Sequence, residues 1–435
     1  MKRSYTLSPP TMESPPLSLH DGFTVYERQF ALAAATMPVR VPWSAQEREE
    51  ILRVARSSLG IHREWVPTID AEVVSTTDGG GYRVEHWQSI SWPGCRGAAD
   101  LYLPNRLREP YPVVILACGH GEGGKRAGIY RRMAVHLVRQ GMAVLVPDNI
   151  GQGERISMGH TKVVKVFEYG LSLQGLIVME TMGWLDWVKT APRLDPARIA
   201  FVGNSGGGLL ALFLGALCRD DLAAISSSGY PGTFSFIAQK EKKHCHCNLL
   251  PGVVGKLEMW QLYGAMAPTP LFLFQGNGDH FFPVDLFWHN ARKVLACYER
   301  AGAATDFRAE VTEGGHSWDA RRCTLLARYL CGQLGLPYHE ATTPDVVEPG
   351  ELPLCYPGDS FLSISTDEVA RRLTASPEGS ATALWEVFPP TVNVAESPEI
   401  FSRGGLKQIF SQYEAFLSPP AGAFSAHGFG RASAK

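Results

Sequence analysis

The chain has 435 residues, of which 45% are hydrophobic and 10% aromatic, as in a packed globular protein. Its 41 lysines and arginines nearly balance 43 aspartates and glutamates, and no long basic run occurs, which argues against nucleic acid or an anionic membrane as the main partner. The basic N-terminal tip has no apolar signal region behind it and no stretch reaches the ~18 apolar residues of a membrane span, so we expect a cytoplasmic protein.

The N-terminal part predicts little sheet structure. Residues 1 to about 20 are rich in Ser and Pro, which indicates a flexible lead. From Phe23 to Leu59 apolar residues recur at helical spacing, which predicts one or two helices. These helices would either cover the entrance of a site or simply pack on the body. We assign residues 1–79 to this lead and N-terminal helical extension.

Strand and helix patterns alternate from residue 80 to residue 336, which we assign to one domain. Tyr82–Trp92 and Gly97–Leu103 alternate apolar and polar residues, as expected for antiparallel strands. Continuous apolar runs predict buried strands at 112–118, 142–147, 199–203, 222–227 and 270–274. Helix patterns separate most of these runs. The alternation predicts an α/β fold with a mostly parallel, twisted sheet and helices on both faces.

Two regions interrupt this pattern. An insertion at 231–267 follows the sixth predicted strand, and an irregular C-terminal extension at 337–435 carries helix candidates at Thr366–Thr374 and Leu406–Leu417. The insertion contains the tetrad His244-Cys245-His246-Cys247, which has the ligand types of a zinc site. Alternate residues of an extended chain point to opposite faces, so we favour packing or pocket lining and predict no metal. The odd count of nine cysteines favours reduced thiols.

The central motif is Gly203-Asn204-Ser205-Gly206-Gly207, where an apolar strand pattern ends and an Ala/Leu helix pattern begins. Such a Gly-x-Ser-x-Gly turn predicts a nucleophile elbow with Ser205 in a strained backbone conformation. The N-terminus of the following helix would place free N–H groups, including that of Gly206, where an oxyanion forms.

A serine hydroxyl becomes a good nucleophile only when a base takes its proton and a third group orients that base. Asp279 follows a buried strand in a Gly-rich turn, and His316 follows the alternating run Phe307–Val311. We therefore predict Ser205, Asp279 and His316 as the catalytic residues. Asp285 is an alternative acid, but it lies within a helix pattern, and His280 is disfavoured as the base because it neighbours Asp279.

The loop after the first buried strand, His120-Gly121-Glu122, should supply a second oxyanion donor, through Gly121 or Glu122. Its glycines also suggest a phosphate cradle, but the spacing is not that of a Walker motif, so no cofactor is predicted. The predicted pocket residues are His120, Trp260, Phe281 and Trp318, any of which could instead be core.

With these residues placed, residues 80–336 resemble the α/β-hydrolase superfamily. The elbow, the segment from His246 to Gly252 and the run Asp148–Glu154 are similar to acetylxylan-esterase and dienelactone-hydrolase-like esterases. The resemblance implies the α/β-hydrolase fold, with Ser205 as nucleophile, Asp279 as acid, His316 as base and Gly206 as an oxyanion donor. The extension after Pro337 has no counterpart that we can place in that group.

We expect a serine hydrolase that cleaves a small-molecule carboxylic ester (an acetyl or other acyl ester, or a lactone) through an acyl-enzyme. Two alternatives stay open. The same triad could serve an acyltransferase or a hydrolase that processes natural products, or the fold could be a non-catalytic binding protein. The sequence also leaves open whether the protein forms a homo-oligomer.

Overall fold

A computed structural model of the chain describes residues 5–6, 41–42, 44–105, 109–160, 166, 169–239, 246–248, 250, 253, 256–340, 352–358, 360–375 and 391–392. Within these ranges no helix combines the length and the apolar character needed to cross a membrane. The predicted lead apart from residues 5–6, the apolar positions Phe30 to Ala34 and the helix candidate Leu406–Leu417 lie outside the described residues.

Nine strands form one sheet. In chain order they are β1 (Asp70–Asp78), β2 (Tyr82–Ile90), β3 (Arg96–Pro104), β4 (Tyr111–Ala117), β5 (Ala143–Pro147), β6 (Leu194–Asn204), β7 (Ala224–Ser228), β8 (Leu271–Gly276) and β9 (Phe307–Thr312). Apart from this sheet, Tyr5–Thr6 pairs antiparallel with Thr391–Val392.

The strand order is β9-β8-β7-β6-β4-β5-β3-β2-β1. Strands β4 to β9 are parallel to one another, whereas β1, β2 and β3 join by antiparallel pairing. The carboxyl ends of the six parallel strands therefore meet at one edge, and the loops after β4, β6, β8 and β9 can share a site there. The predicted α/β class with a mostly parallel sheet is confirmed.

The sheet begins ten residues earlier than predicted, because β1 lies inside the region assigned to the helical extension. Its sequence is largely polar and its side chains are mostly exposed, with Val73 and Val74 over 40% accessible. An edge strand with no buried face lacks the apolar alternation on which the prediction relied. Counting β1, the insertion follows the seventh strand and not the sixth.

Nine helices are described: α1 (Ala45–Leu59), α2 (Gly128–Arg139), α3 (Leu173–Thr190), α4 (Gly206–Leu217), α5 (Phe234–Gln239), α6 (Met259–Ala265), α7 (Val284–Arg300), α8 (Ala320–Gln333) and α9 (Thr366–Thr374). The capping box of Ser44 and Glu47 starts α1, and Gly60 ends it in the left-handed conformation. Ile51 and Ala55 of α1 are fully buried. This helix packs on the body, which was one of the two expected roles.

Alternate residues of β4 belong to two separate hydrophobic cores. Val113 and Ile115 pack into one core, and Val114 and Leu116 into the other. Because successive side chains of a strand point to opposite faces, the two cores lie on the two faces of the sheet. Helices α3, α4, α6 and α7 contribute to the first core, and α2 and α8 to the second. Helices thus cover both faces, as predicted.

The C-terminal segment 352–375 docks beside the loop that follows β5. The Glu154 carboxylate accepts the backbone amides of Cys355 (3.2 Å) and Tyr356 (2.9 Å), and α9 buries Val369 and Ala370. Helix α9 has the bounds expected from its pattern.

The Nζ of Lys125 is fully buried and contacts three carboxylates, those of Asp100, Asp148 and Glu154. We call these three carboxylates the buried carboxylate cluster.

Candidate active site

Ser205 lies between β6 and α4 with φ 60° and ψ −120°, and no other non-glycine residue in the described ranges has a positive φ. Such a conformation costs on the order of 1–3 kcal/mol and requires surroundings that hold it. A Cβ on Gly203 would lie 2.0 Å from the carbonyl oxygen of Gly207, so only glycine allows this close approach. The strained turn expected from the motif is present.

Asp279 and His316 form a hydrogen-bonded pair at the same edge of the sheet. The Asp279 Oδ2 accepts from His316 Nδ1 at 2.7 Å, and its Oδ1 accepts the backbone amides of Phe281 (2.9 Å) and Phe282 (3.1 Å). Burial by itself raises the pKa of this carboxyl, but the hydrogen bonds and the nearby imidazole outweigh it, so the pKa of Asp279 is lowered. The predicted alternatives lie elsewhere: Asp285 is exposed in the first turn of α7, and His280 is exposed beside Phe281.

Backbone hydrogen bonds hold the loops after β8 and β9 together. The amide of Asn277 donates to Thr312 O at 2.7 Å, and that of Gly278 donates to Gly314 O at 2.9 Å. The buried Arg322 of α8 donates to the Thr312 hydroxyl (2.9 Å) and to the carbonyl oxygens of Glu313 and Ser317. These contacts fix the position of His316 relative to Asp279.

Ser205 and His316 open onto one cavity of about 420 Å³, which we call the Ser205 cavity. The lining combines apolar, aromatic and neutral polar side chains with two histidines: His120, Ile129, Tyr130, Asn204, Ser205, Gly206, Tyr230, Asn248, Phe281, Phe282 and His316. The His316 ring packs edge-on to Phe281, with ring centroids 4.9 Å apart, and roughly parallel to Phe282 at 5.8 Å. The arrangement suits an uncharged or weakly polar ligand.

Comparisons with known proteins agree with this architecture. A protein-family sequence model described as "Abhydrolase family" matches residues 44–233 of the chain. The chain has the α/β-hydrolase fold. The "Putative hydrolase YtaP" of Bacillus subtilis (strain 168) is 24% identical over 238 residues, which are 51% of this chain and 78% of that protein.

Solved structures show the same fold. Methylesterase BT1017 superposes with a TM-score of 0.58 at 16% identity, covering 93% of this chain and 82% of its own. A glucuronoyl esterase from Solibacter usitatus superposes with a TM-score of 0.53 at 15% identity, covering 67% of this chain and 93% of the esterase. A "putative acetyl xylan esterase" from Bacteroides fragilis NCTC 9343 superposes with a TM-score of 0.52 at 17% identity, covering 71% of this chain and 85% of that protein. At these identities the likeness establishes the fold alone.

The structure brings only some of the predicted pocket and oxyanion residues to the cavity. His120, Gly206 and Phe281 line it, whereas Gly121 and Glu122 are not among its lining residues. The two predicted tryptophans are core residues. Trp318 is buried, and its Nε1 donates to the Ser228 hydroxyl at 2.7 Å, while Trp260 is 1% exposed. Large aromatic side chains fill cores more often than they line pockets, which is why these two assignments were wrong.

Several residues of the lining were missed by the sequence analysis, among them Tyr130, Tyr230 and Asn248. Tyr130 accepts the Gly119 amide through its hydroxyl at 2.6 Å, and the Tyr230 hydroxyl donates to Asn248 Oδ1 at 2.9 Å. Tyr230 follows the carboxyl end of β7, the same type of position that identified Asp279 and His316. Asn248 lies in the insertion, so the insertion contributes to the wall of the cavity.

Within the tetrad of the insertion, Cys247 is buried, while His244 and Cys245 lie outside the described residues. The Cys247 Sγ lies 3.0 Å from His120 Nε2, and His120 Nε2 lies 3.1 Å from His160 Nε2. The eight described cysteines are all free thiols, in keeping with the expected reduced state. The contacts of Cys247 reach two other loops, which the tetrad by itself did not indicate.

Proposed function

We propose that this protein of α/β-hydrolase fold is a serine esterase, with Ser205 as nucleophile, His316 as general base and Asp279 as the acid that orients the base. One observation carries the proposal. The strained Ser205 and His316, whose Nδ1 is bonded to Asp279, line a single cavity, although the three residues come from the ends of three different strands. A carboxylate bonded to His Nδ1 leaves Nε2 as the atom that can take a proton.

In the proposed reaction, His316 Nε2 takes the Ser205 hydroxyl proton while the oxygen attacks the ester carbonyl. The Asp279 carboxylate stabilises the imidazolium that forms, since it stays ionised in this environment. The protonated His316 then gives its proton to the leaving alcohol as the carbonyl re-forms. Water, activated by the same histidine, attacks the acyl-enzyme and releases the acid and Ser205.

The oxyanion would lie at the N-terminus of α4, where the Gly206 N–H is one donor. The α4 helix begins at Gly206, so its first amides have no partner within the helix and its dipole favours negative charge there. We assign the second donor to the loop of His120, Gly121 and Glu122, of which His120 lines the cavity. Each donor contributes on the order of 3 kcal/mol to transition-state stabilisation in comparable enzymes.

The cavity supports a neutral ester of small to moderate size as the substrate. Its walls combine aromatic side chains and Ile129 with neutral polar groups and two histidines, and no lysine or arginine is among the described lining residues to bind an acidic group. The names of the structural relatives (methylesterase, glucuronoyl esterase, putative acetyl xylan esterase) agree with carboxylic ester chemistry. We place the catalysis in residues 80–336, with the insertion 231–267 forming part of the wall.

Intact-mass labelling with a fluorophosphonate tests the nucleophile. Wild type should gain one adduct, Ser205→Ala should gain none, and Ser57→Ala, an exposed serine on α1, should label like wild type. The same proteins are then assayed with short-chain p-nitrophenyl esters, where Ser205→Ala should lose activity by at least a thousandfold. A folded wild type that takes no adduct would overturn the proposal, and products that partition to an added alcohol would indicate acyl transfer.

A further inference from the structure

Three metal-ligand side chains from separate loops converge beside the Ser205 cavity. They are His120 after β4, His160 after β5 and Cys247 in the insertion, and their ligand atoms all lie within 4.8 Å of one another. His120 Nε2 lies 3.1 Å from His160 Nε2 and 3.0 Å from Cys247 Sγ. We propose that these three residues bind a zinc ion whose fourth position opens toward the cavity.

The two spacings from His120 Nε2 are close to those of a tetrahedral zinc site. With Zn–N of about 2.1 Å and Zn–S of about 2.3 Å, tetrahedral angles place two nitrogens about 3.4 Å apart and nitrogen and sulfur about 3.6 Å apart. The two distances from His120 Nε2 are shorter than these values by about 0.3–0.6 Å, and the third pair lies within 4.8 Å, so an ion requires an adjustment of the side chains. Imidazole and thiolate ligands together are typical of zinc, and three protein ligands plus an open position are typical of a reactive zinc site.

Neighbouring groups orient the ligands. His160 Nδ1 donates to the carbonyl oxygen of Ile150 at 2.7 Å, which leaves a lone pair on Nε2 directed into the cluster. The Asn248 amide donates to Cys247 Sγ at 3.3 Å, a contact that orients the sulfur. The Gln152 amide lies 3.2 Å from His160 Nε2 and would give up that contact to the ion.

Access and burial also suit a bound ion. His160 and Cys247 are buried, at 6% and 2% exposure, whereas His120 is exposed and lines the Ser205 cavity, which provides an entry path. The His120 ring also lies against the elbow, because a Cβ on Gly206 would be 2.8 Å from His120 Cε1. A zinc ion would therefore hold His120 in place next to the proposed oxyanion donor.

Cobalt(II) titration of the metal-free full chain tests the site without relying on activity. Wild type should bind one equivalent with a near-ultraviolet thiolate-to-cobalt band and the visible absorption of a tetrahedral site. Cys247→Ser should lose the thiolate band, and His160→Gln should weaken binding at least tenfold. Two control variants, Cys218→Ser and Cys245→Ser, should bind as wild type does, the latter because it removes the other thiol of the tetrad.

Circular dichroism and fluorophosphonate labelling of each variant show that it is folded. A wild type that binds no stoichiometric cobalt or zinc would overturn the proposal and leave a hydrogen-bonded thiol–imidazole cluster. A thiolate band that survives Cys247→Ser but disappears in Cys245→Ser would also overturn it, because the ion would then be held by another part of the tetrad.

Discussion

Replacing Asp279 by Asn tests whether this carboxylate sets the tautomer of His316. In wild type the Oδ1 atom accepts two backbone amides and Oδ2 accepts His316 Nδ1–H. The amides of Phe281 and Phe282 will hold the Asn carbonyl oxygen in the Oδ1 position. The Asn NH₂ group then faces His316 Nδ1 and forces the proton onto Nε2, so the imidazole can no longer take the proton of Ser205.

The magnitude follows from this change of tautomer. In a serine triad the corresponding substitution lowers kcat by about 10⁴-fold, equivalent to about 5 kcal/mol of activation free energy. Stability should change far less, because one charge-assisted hydrogen bond worth about 1.5–3 kcal/mol is lost while both amides stay satisfied. The assay is kcat with a p-nitrophenyl ester, together with a denaturant titration of the same protein.

Asp285→Asn is the matched control, since Asp285 is the nearby acid that the sequence left as an alternative. It is exposed in the first turn of α7, where its charge contributes about 0.3–1 kcal/mol to the helix. This variant should keep its activity within about twofold, as expected for a surface change that alters no contact of the pair. The reasoning fails if Asp279→Asn keeps more than a tenth of wild-type activity, or if Asp285→Asn is the inactive variant.

Two further predictions concern stability. Lys125→Met should lower the free energy of unfolding by about 3–5 kcal/mol, because it leaves the buried carboxylate cluster without its cation, whereas Lys189→Met, which removes a partly exposed pair, should cost less than about 1 kcal/mol. Equal losses in denaturant titrations would contradict the first. Because the folded state holds the pKa of Asp279 below its ordinary value of 3.8, the ionised carboxylate stabilises the fold fully at pH values above 3.8. The difference in unfolding free energy between wild type and Asp279→Asn should therefore shrink as the pH falls through the lowered pKa of the folded state. An advantage unchanged down to low pH would contradict the second.

Local patterns were sufficient for much of the fold. The buried parallel strands, the elbow around Ser205 and the helix Thr366–Thr374 were each identified from a contiguous stretch. Each carries its own signal, because hydrophobic periodicity, glycine spacing and capping are properties of neighbouring residues. The edge strand β1 was missed because an exposed strand has no apolar face and therefore lacks the alternation of apolar and polar residues that predicts a strand.

Within the candidate site, the sequence determined the residue types and the strand ends that carry them, and thus named Ser205, Asp279 and His316. Only the tertiary structure decided which of the remaining side chains reach the cavity. Trp260 and Trp318 go to the core, while Tyr130, Tyr230 and Asn248 form the wall. A side chain's position relative to the sheet edge depends on packing between distant elements, and no local pattern records it.

The cluster of His120, His160 and Cys247 shows the same limit most clearly. The tetrad around Cys247 indicated ligand types but no site, because its contiguous residues cannot all face one ion. The loops after β4 and β5 bring in the two histidines, which are 127 and 87 positions away from Cys247 in the chain. The sequence alone therefore determined which reactive side chains this protein has. The tertiary structure decided which of them come together, because it brings loops from distant parts of the chain to one edge of the sheet.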